Sequence, residues 1–276
     1  NTENPLVPNA DRYHPFDGDG MIHSISFREG HAEYRNRMVR TEGLAIDLDA
    51  GGPQWSGLAE SPLTAVRTDG WGARTRMKDA SSTDVVVHGG VALSSFYQCG
   101  DLYQLDPVTL EEKGRASWSG AFPDAGVSAH TKVDEKTGEL LFFNYQTTYP
   151  YMHYGVLGPT GELTHYTPVP LPGPRLPHDM CFTEHYAILN DFPLYWDPEL
   201  LKQGKHVVKF HADQPSRFAI IPRRGQPQDI RWFEADPRYM LHVANAWEEV
   251  NDQGETEIVM LGTPYAMPKQ FDGSLD

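Results

Sequence analysis

The chain has 276 residues, 39% of them hydrophobic and 11% aromatic, enough to bury a substantial core and incompatible with a disordered chain or a helical membrane bundle. Lys and Arg number 23 against 38 Asp and Glu, and a formal net charge of −15 argues against a protein built to grip nucleic-acid phosphates. Two cysteines, Cys99 and Cys181, exclude a disulfide scaffold and a cysteine-rich zinc site.

The punctuation along the chain is that of short antiparallel strands. Met21 to Phe27 alternates, with Met21, His23, Ile25 and Phe27 on one face, and Arg28-Glu29-Gly30 turns it into a second strand from Ala32 to Val39. Asp47 to Lys78 is polar and Gly-containing and reads as a long loop, around 47–78, over one face of a single domain spanning 1–276. Leu102 to Leu105 runs into the turn opener Asp106-Pro107. Thr131 to Val133 and Glu139 to Phe143 flank a polar turn, and Tyr154 to Leu157 and Glu162 to Tyr166 flank Gly158-Pro159-Thr160-Gly161. Later strands are expected at Tyr186–Leu189, Arg217–Ile221, Asp229–Phe233, Met240–Ala244 and Glu257–Leu261. Helical signal is confined to Glu199–Lys202, stopped by Gly204. Many hairpins and almost no helix predict an all-β sandwich, barrel or propeller. No strict repeat is visible, which speaks against a WD40 or kelch array but leaves an irregular propeller open.

Familiar catalytic motifs are missing. Asp17-Gly18-Asp19-Gly20 opens like a calcium loop, but Met21 stands where an oxygen ligand belongs. There is no phosphate-binding Gly-rich loop, no His-Glu-x-x-His and no Gly-x-Ser-x-Gly elbow. Of the 12 histidines, His14, His31, His88, His153, His165, His206 and His211 sit in polar, turn-like surroundings and read as surface residues. His23 has no distinctive setting, and His185 reads as a hydrogen-bonding residue beside Glu184. Three others differ: His130 at the entrance to a strand, His178 after a proline-rich approach, and His242 in an apolar strand end. Separations of 48 and 64 residues are too wide for one helix or hairpin and suit ligands delivered by successive sheets. Three buried histidines satisfied by hydrogen bonds fit the same spacing.

Five ordered segments resemble the carotenoid cleavage oxygenases, a family that also holds stilbene- and phenylpropene-cleaving members. They are Phe16-Asp17-Gly18-Asp19-Gly20-Met21, Ala129-His130-Thr131-Lys132 with Thr137-Gly138-Glu139, Pro177-His178-Asp179-Met180, Pro222-Arg223-Arg224-Gly225, and His242-Val243-Ala244-Asn245-Ala246-Trp247-Glu248-Glu249. The resemblance implies a seven-bladed β-propeller, of which this chain covers the middle blades, with chain expected on both sides. It implies a non-haem Fe(II) on four histidines: His130, His178, His242 and a fourth outside this chain, since no histidine follows His242. In the family, glutamates hydrogen-bond the far nitrogens of the ligand histidines. One such position falls on Gln98, a neutral acceptor, or on Tyr97 if the register slips by one.

The implied activity is O2-dependent cleavage of a C=C bond into two carbonyl products, with no catalytic side chain beyond the metal ligands. The Lys–Tyr pair by which relatives hold a phenol is absent, with no tyrosine between Tyr34 and Tyr97, which favours a carotenoid or apocarotenoid over a phenylpropene or stilbene. Phe16 and Tyr97 are candidate pocket walls. The apolar run Phe192-Pro193-Leu194-Tyr195-Trp196 reads as a tunnel wall, a membrane-facing lip or core packing. Two rival readings are an O2-independent isomerohydrolase and a metal-free binding module. The net charge predicts a cytoplasmic protein, with transient membrane contact allowed and no nucleic-acid partner.

Overall fold

The computed structural model describes residues 14–58, 60, 65–67, 69–70, 77–196, 200 and 208–265. The helical turn expected over Glu199–Lys202 lies outside them apart from Leu200. The chain divides into two compact units, Asn1–Leu140 with Leu157–Leu163, and Leu141–Val156 with Thr164–Asp276.

The first unit opens with a hairpin of β1 (Met21–Arg28) and β2 (His31–Met38), in register from Met21↔Met38 to Arg28↔His31. Glu29 and Gly30 both take positive φ at its turn. The alternation in β1 does not mark a core face here: Ile25 is 57% and Phe27 80% exposed. The hairpin is a two-stranded sheet, so among the described residues β1 pairs with β2 alone. A helix, α1 (Glu42–Ala50), follows, and its second half occupies the start of the stretch expected to be loop from Asp47. Thr41 caps it by accepting the Leu44 N–H, and Gly51 ends it in the left-handed conformation.

β3 (Asp84–His88), β4 (Val91–Ser95), β5 (Tyr103–Leu105) and β6 (Glu112–Arg115) form an antiparallel up-and-down sheet. β3 and β4 turn through Gly89-Gly90, both at positive φ. A second four-stranded sheet orders β7 (Lys132–Asp134), β8 (Glu139–Tyr145), β9 (Met152–Leu157) and β10 (Leu163–Pro168) consecutively. Leu140 to Phe143 of β8 are all fully buried, which is why this strand reads as an unbroken apolar run.

In the second unit, β11 (Cys181–Phe182), β12 (Tyr186–Asp191), β15 (Ser216–Pro222) and β16 (Arg231–Ala235) make a third such sheet, antiparallel throughout. The hairpin of β13 (Leu194–Trp196) and β14 (Val208–Phe210) is inserted in it, and β17 (Tyr239–Val250) with β18 (Thr256–Tyr265) forms a final hairpin. Phe192 is buried and packs edge-on to Phe218 and Tyr239, so this part of the apolar run at 192–196 is core. Among the described residues no helix is long and apolar enough to cross a membrane.

The Phe-Asp-Gly-Asp-Gly-Met segment is structural. Asp17 accepts the N–H groups of His14 and Leu58. Asp19 is fully buried against Lys78, whose ammonium also meets Asp47 of α1 at 2.8 Å. A Cβ on Gly20 would lie 2.1 Å from the Ser81 carbonyl oxygen, so only glycine fits.

Candidate metal centre

Within the second unit, His178 ends an extended approach in which Pro170, Pro172, Pro174 and Pro177 exclude helix. Arg175 anchors that approach. Its Nε donates to the buried Asp191 at 2.5 Å, and its guanidinium lies 3.8 Å over the Tyr195 ring, which itself stacks on His211. His242 projects from β17. The His178 and His242 ring centroids are 5.1 Å apart with planes at 54°, and a nitrogen of one lies within 4.8 Å of a nitrogen of the other. Two imidazole nitrogens each about 2.0–2.2 Å from one cation are themselves about 3–4.4 Å apart, so the pair stands close to a shared-ligand geometry.

Within the first unit, His130 precedes β7 with φ at 58°, a left-handed conformation that costs a non-glycine residue strain. Its Nδ1 donates to Asp84 Oδ2 at 2.9 Å. A carboxylate only accepts, so the bond places the proton on Nδ1 and makes Nε2 the lone-pair nitrogen. Burial pushes the Asp84 carboxyl up, but its bond to His130, the Val85 N–H and the Lys132 charge together hold it below the ordinary carboxylate range.

Asp84 was not singled out in the sequence. Its signal was the Gly-Gly hairpin of Asp84-Val-Val-Val-His-Gly-Gly-Val, which makes Asp84 the first residue of a strand. The carboxylate bonded to His130 is Asp84; Gln98 is buried, and among the described residues no donor reaches its side-chain oxygen. Phe16 and Tyr97 do meet, at 6.0 Å between centroids, with Phe96 packed on Tyr97 at 4.8 Å. Tyr97 also packs against the small core of Met77, Ala80 and Phe96.

Several histidines read as surface residues are not. His88 is buried and bonds the Gly138 carbonyl. His153 and His165 sit in β9 and β10, stacked on Tyr166 and edge-on to Tyr154 respectively. Burial lowers the pKa of both, helped at His165 by the Arg224 charge. His206 lies outside the described residues. His185 bonds Glu248 at 2.8 Å, so Glu248, in the Trp-Glu-Glu motif, ties β17 to the turn before β12. The Pro-Arg-Arg-Gly motif is a turn, closed by the Gly225 N–H on the Pro222 carbonyl.

Consecutive four-stranded up-and-down sheets, with two imidazoles brought to near-ligand spacing, define a β-propeller with a candidate metal centre. The family model described as retinal pigment epithelial membrane protein (RPE65) matches residues 1–275, and the chain belongs to this family of carotenoid cleavage oxygenases, which are seven-bladed propellers. It is 33% identical over 260 residues to a carotenoid 9,10(9',10')-cleavage dioxygenase of Crocus sativus, covering 89% of this chain and 47% of that protein. It is 31% identical over 283 residues to isoeugenol monooxygenase of Pseudomonas putida, covering 99% and 58%. The lignostilbene dioxygenase structure of Pseudomonas brassicacearum superposes with a TM-score of 0.72 at 31% identity, over 85% of this chain and 48% of that one. The chain spans about half the length of these relatives.

Proposed function

We propose that the intact protein is a non-haem iron oxygenase that cleaves a C=C bond with O2, its Fe(II) held by His130, His178, His242 and a fourth histidine outside this chain. The observation that carries the reading is the His178–His242 pair, two imidazoles from stretches 64 residues apart at 5.1 Å between ring centroids. Family membership supports it, as does the Asp84 bond that sets the His130 tautomer for ligation through Nε2. The donor set is chemically suited to Fe(II): neutral imidazoles bind it well.

Bound there, ferrous iron would supply the activation of O2 that cleavage of an alkene requires. The residues of this chain contribute position. Asp84 keeps the Nδ1 proton in place and the ring from rotating. The Arg175–Asp191–Tyr195 clamp fixes the approach to His178. Phe16 and Tyr97 offer an apolar wall on which a polyene can lie. No side chain has to donate or accept a proton in the cleavage.

We favour a carotenoid or apocarotenoid substrate because the residues for gripping a phenol are absent. A phenylpropene is the second reading, favoured by the 99% coverage of this chain in the isoeugenol monooxygenase match. The formal net charge of −15 supports a cytoplasmic location, with transient membrane contact to collect an apolar substrate. The test is aerobic turnover of the intact, iron-loaded protein with an apocarotenal and with isoeugenol under labelled O2. Labelled aldehyde from the apocarotenal supports the first reading, and labelled aldehyde from isoeugenol alone supports the second. Products without label from either would overturn oxygenase chemistry in favour of an isomerohydrolase, and a protein that takes up no iron would be a binding module.

A further inference from the structure

Asp179 follows His178 directly, and Val243 follows His242. The Asp179 carboxylate joins these two stretches: Oδ2 accepts the Val243 N–H at 2.9 Å, and Oδ1 accepts the Met180 N–H at 2.8 Å. Its carbonyl in turn accepts from the Asn190 side chain of β12 at 2.8 Å, tying the same residue to the sheet. Asp179 is 3% exposed, so these bonds lie out of competition with water.

The β17–β18 ladder is irregular at the same place. Its register shifts between Met240 and Val243 and again between Val243 and Asn245, on both sides of the residue whose N–H goes to Asp179. Bulges bend a strand and re-aim a neighbouring side chain, and here the neighbour is His242. One buried carboxylate thus fixes a backbone position adjacent to each histidine of the 5.1 Å pair.

We propose that Asp179 is a positioning residue for the metal centre, a clip that sets the His178–His242 separation before metal arrives. The inference rests on the reading of those two histidines as ligands. Without the clip, the two stretches must be ordered when metal binds, and that ordering is subtracted from affinity.

The test uses the intact apo-protein, cobalt(II) as a spectroscopic probe, and hydrogen exchange at the Val243 amide. Asp179→Ala removes both acceptors, whereas Asp179→Asn keeps a side-chain oxygen that can still accept the Val243 N–H. Cobalt affinity is expected to fall by about 10–100-fold in Asp179→Ala, as for other residues that orient metal ligands, and to recover most of that loss in Asp179→Asn. The Val243 amide is expected to be protected in the wild-type protein before any metal is added. Wild-type affinity in Asp179→Ala, equal losses in both variants, or Val243 protection that appears only with metal would each overturn the clip. The exchange measurement on the wild-type protein decides the matter even if Asp179→Ala does not fold. Failure of the wild-type protein to bind cobalt at all would instead overturn the ligand assignment beneath it.

Discussion

Replacing Lys78 by Met tests whether the Phe-Asp-Gly-Asp-Gly-Met segment folds around a buried ammonium. Lys78 is 12% exposed, and its two partners, Asp19 and Asp47, are 0% and 2% exposed. Met matches the length of the lysine stem but leaves both carboxylates without their cation, although Asp47 keeps the Gln54 N–H on its other oxygen. Breaking a buried pair by removing one partner costs about 3–5 kcal/mol, and with two acids stranded the upper half of that range is expected. At about 2–4 °C per kcal/mol, the melting midpoint falls by roughly 8–20 °C. Asp19→Asn is milder, about 1–3 kcal/mol, because Lys78 retains Asp47 and the amide oxygen still accepts. Thermal unfolding of wild type and both variants measures these differences directly. A Lys78→Met penalty below about 1 kcal/mol would refute the buried-ammonium reading.

Gly20→Ala is expected to cost about 1–3 kcal/mol or more, since its Cβ meets the Ser81 carbonyl oxygen and neither backbone can yield cheaply; urea denaturation measures it. Asp84→Ala should weaken iron binding by about 10–100-fold and Asp84→Asn by less, because the amide oxygen still takes the His130 Nδ1 proton; an anaerobic iron titration checks both. His153 and His165 have folded pKa values lowered by burial, so their contribution to stability is complete above the unfolded value of about 6.5 and is lost as pH falls through the folded values. His153→Phe keeps the stack on Tyr166 and removes one of those protons, so a melting curve against pH is expected to flatten on its acid side.

Much of the sheet structure was legible because its turns carry strong chemistry. Gly158-Pro159-Thr160-Gly161 and the Asp134–Gly138 run mark hairpins that the structure contains as β9–β10 and β7–β8. The helix α1 was missed because its apolar face is narrow: Leu44 is buried beside Asp47, an acid whose place inside depends on Lys78, some thirty residues away in sequence. His153 and His165 look polar in sequence, yet aromatic rings from neighbouring strands cover them, and cross-strand stacking leaves no local mark. Phe192 read equally well as tunnel wall or core, and packing against Phe218 and Tyr239 decides it. At the candidate centre, the histidines stood out by their surroundings, whereas Asp84 and Asp179 did not. A carboxylate that orients a ligand is defined by what it bonds, and those partners lie 46 and 64 residues distant.

The most direct measurement is iron stoichiometry in the intact protein, purified anaerobically as wild type and as His130→Ala, His178→Ala and His242→Ala. If one ferrous ion draws on all three imidazoles, the wild type holds one iron per chain and each variant loses most of it while staying folded. Variants that retain iron like the wild type, or a folded wild type that holds none, would contradict a shared ion.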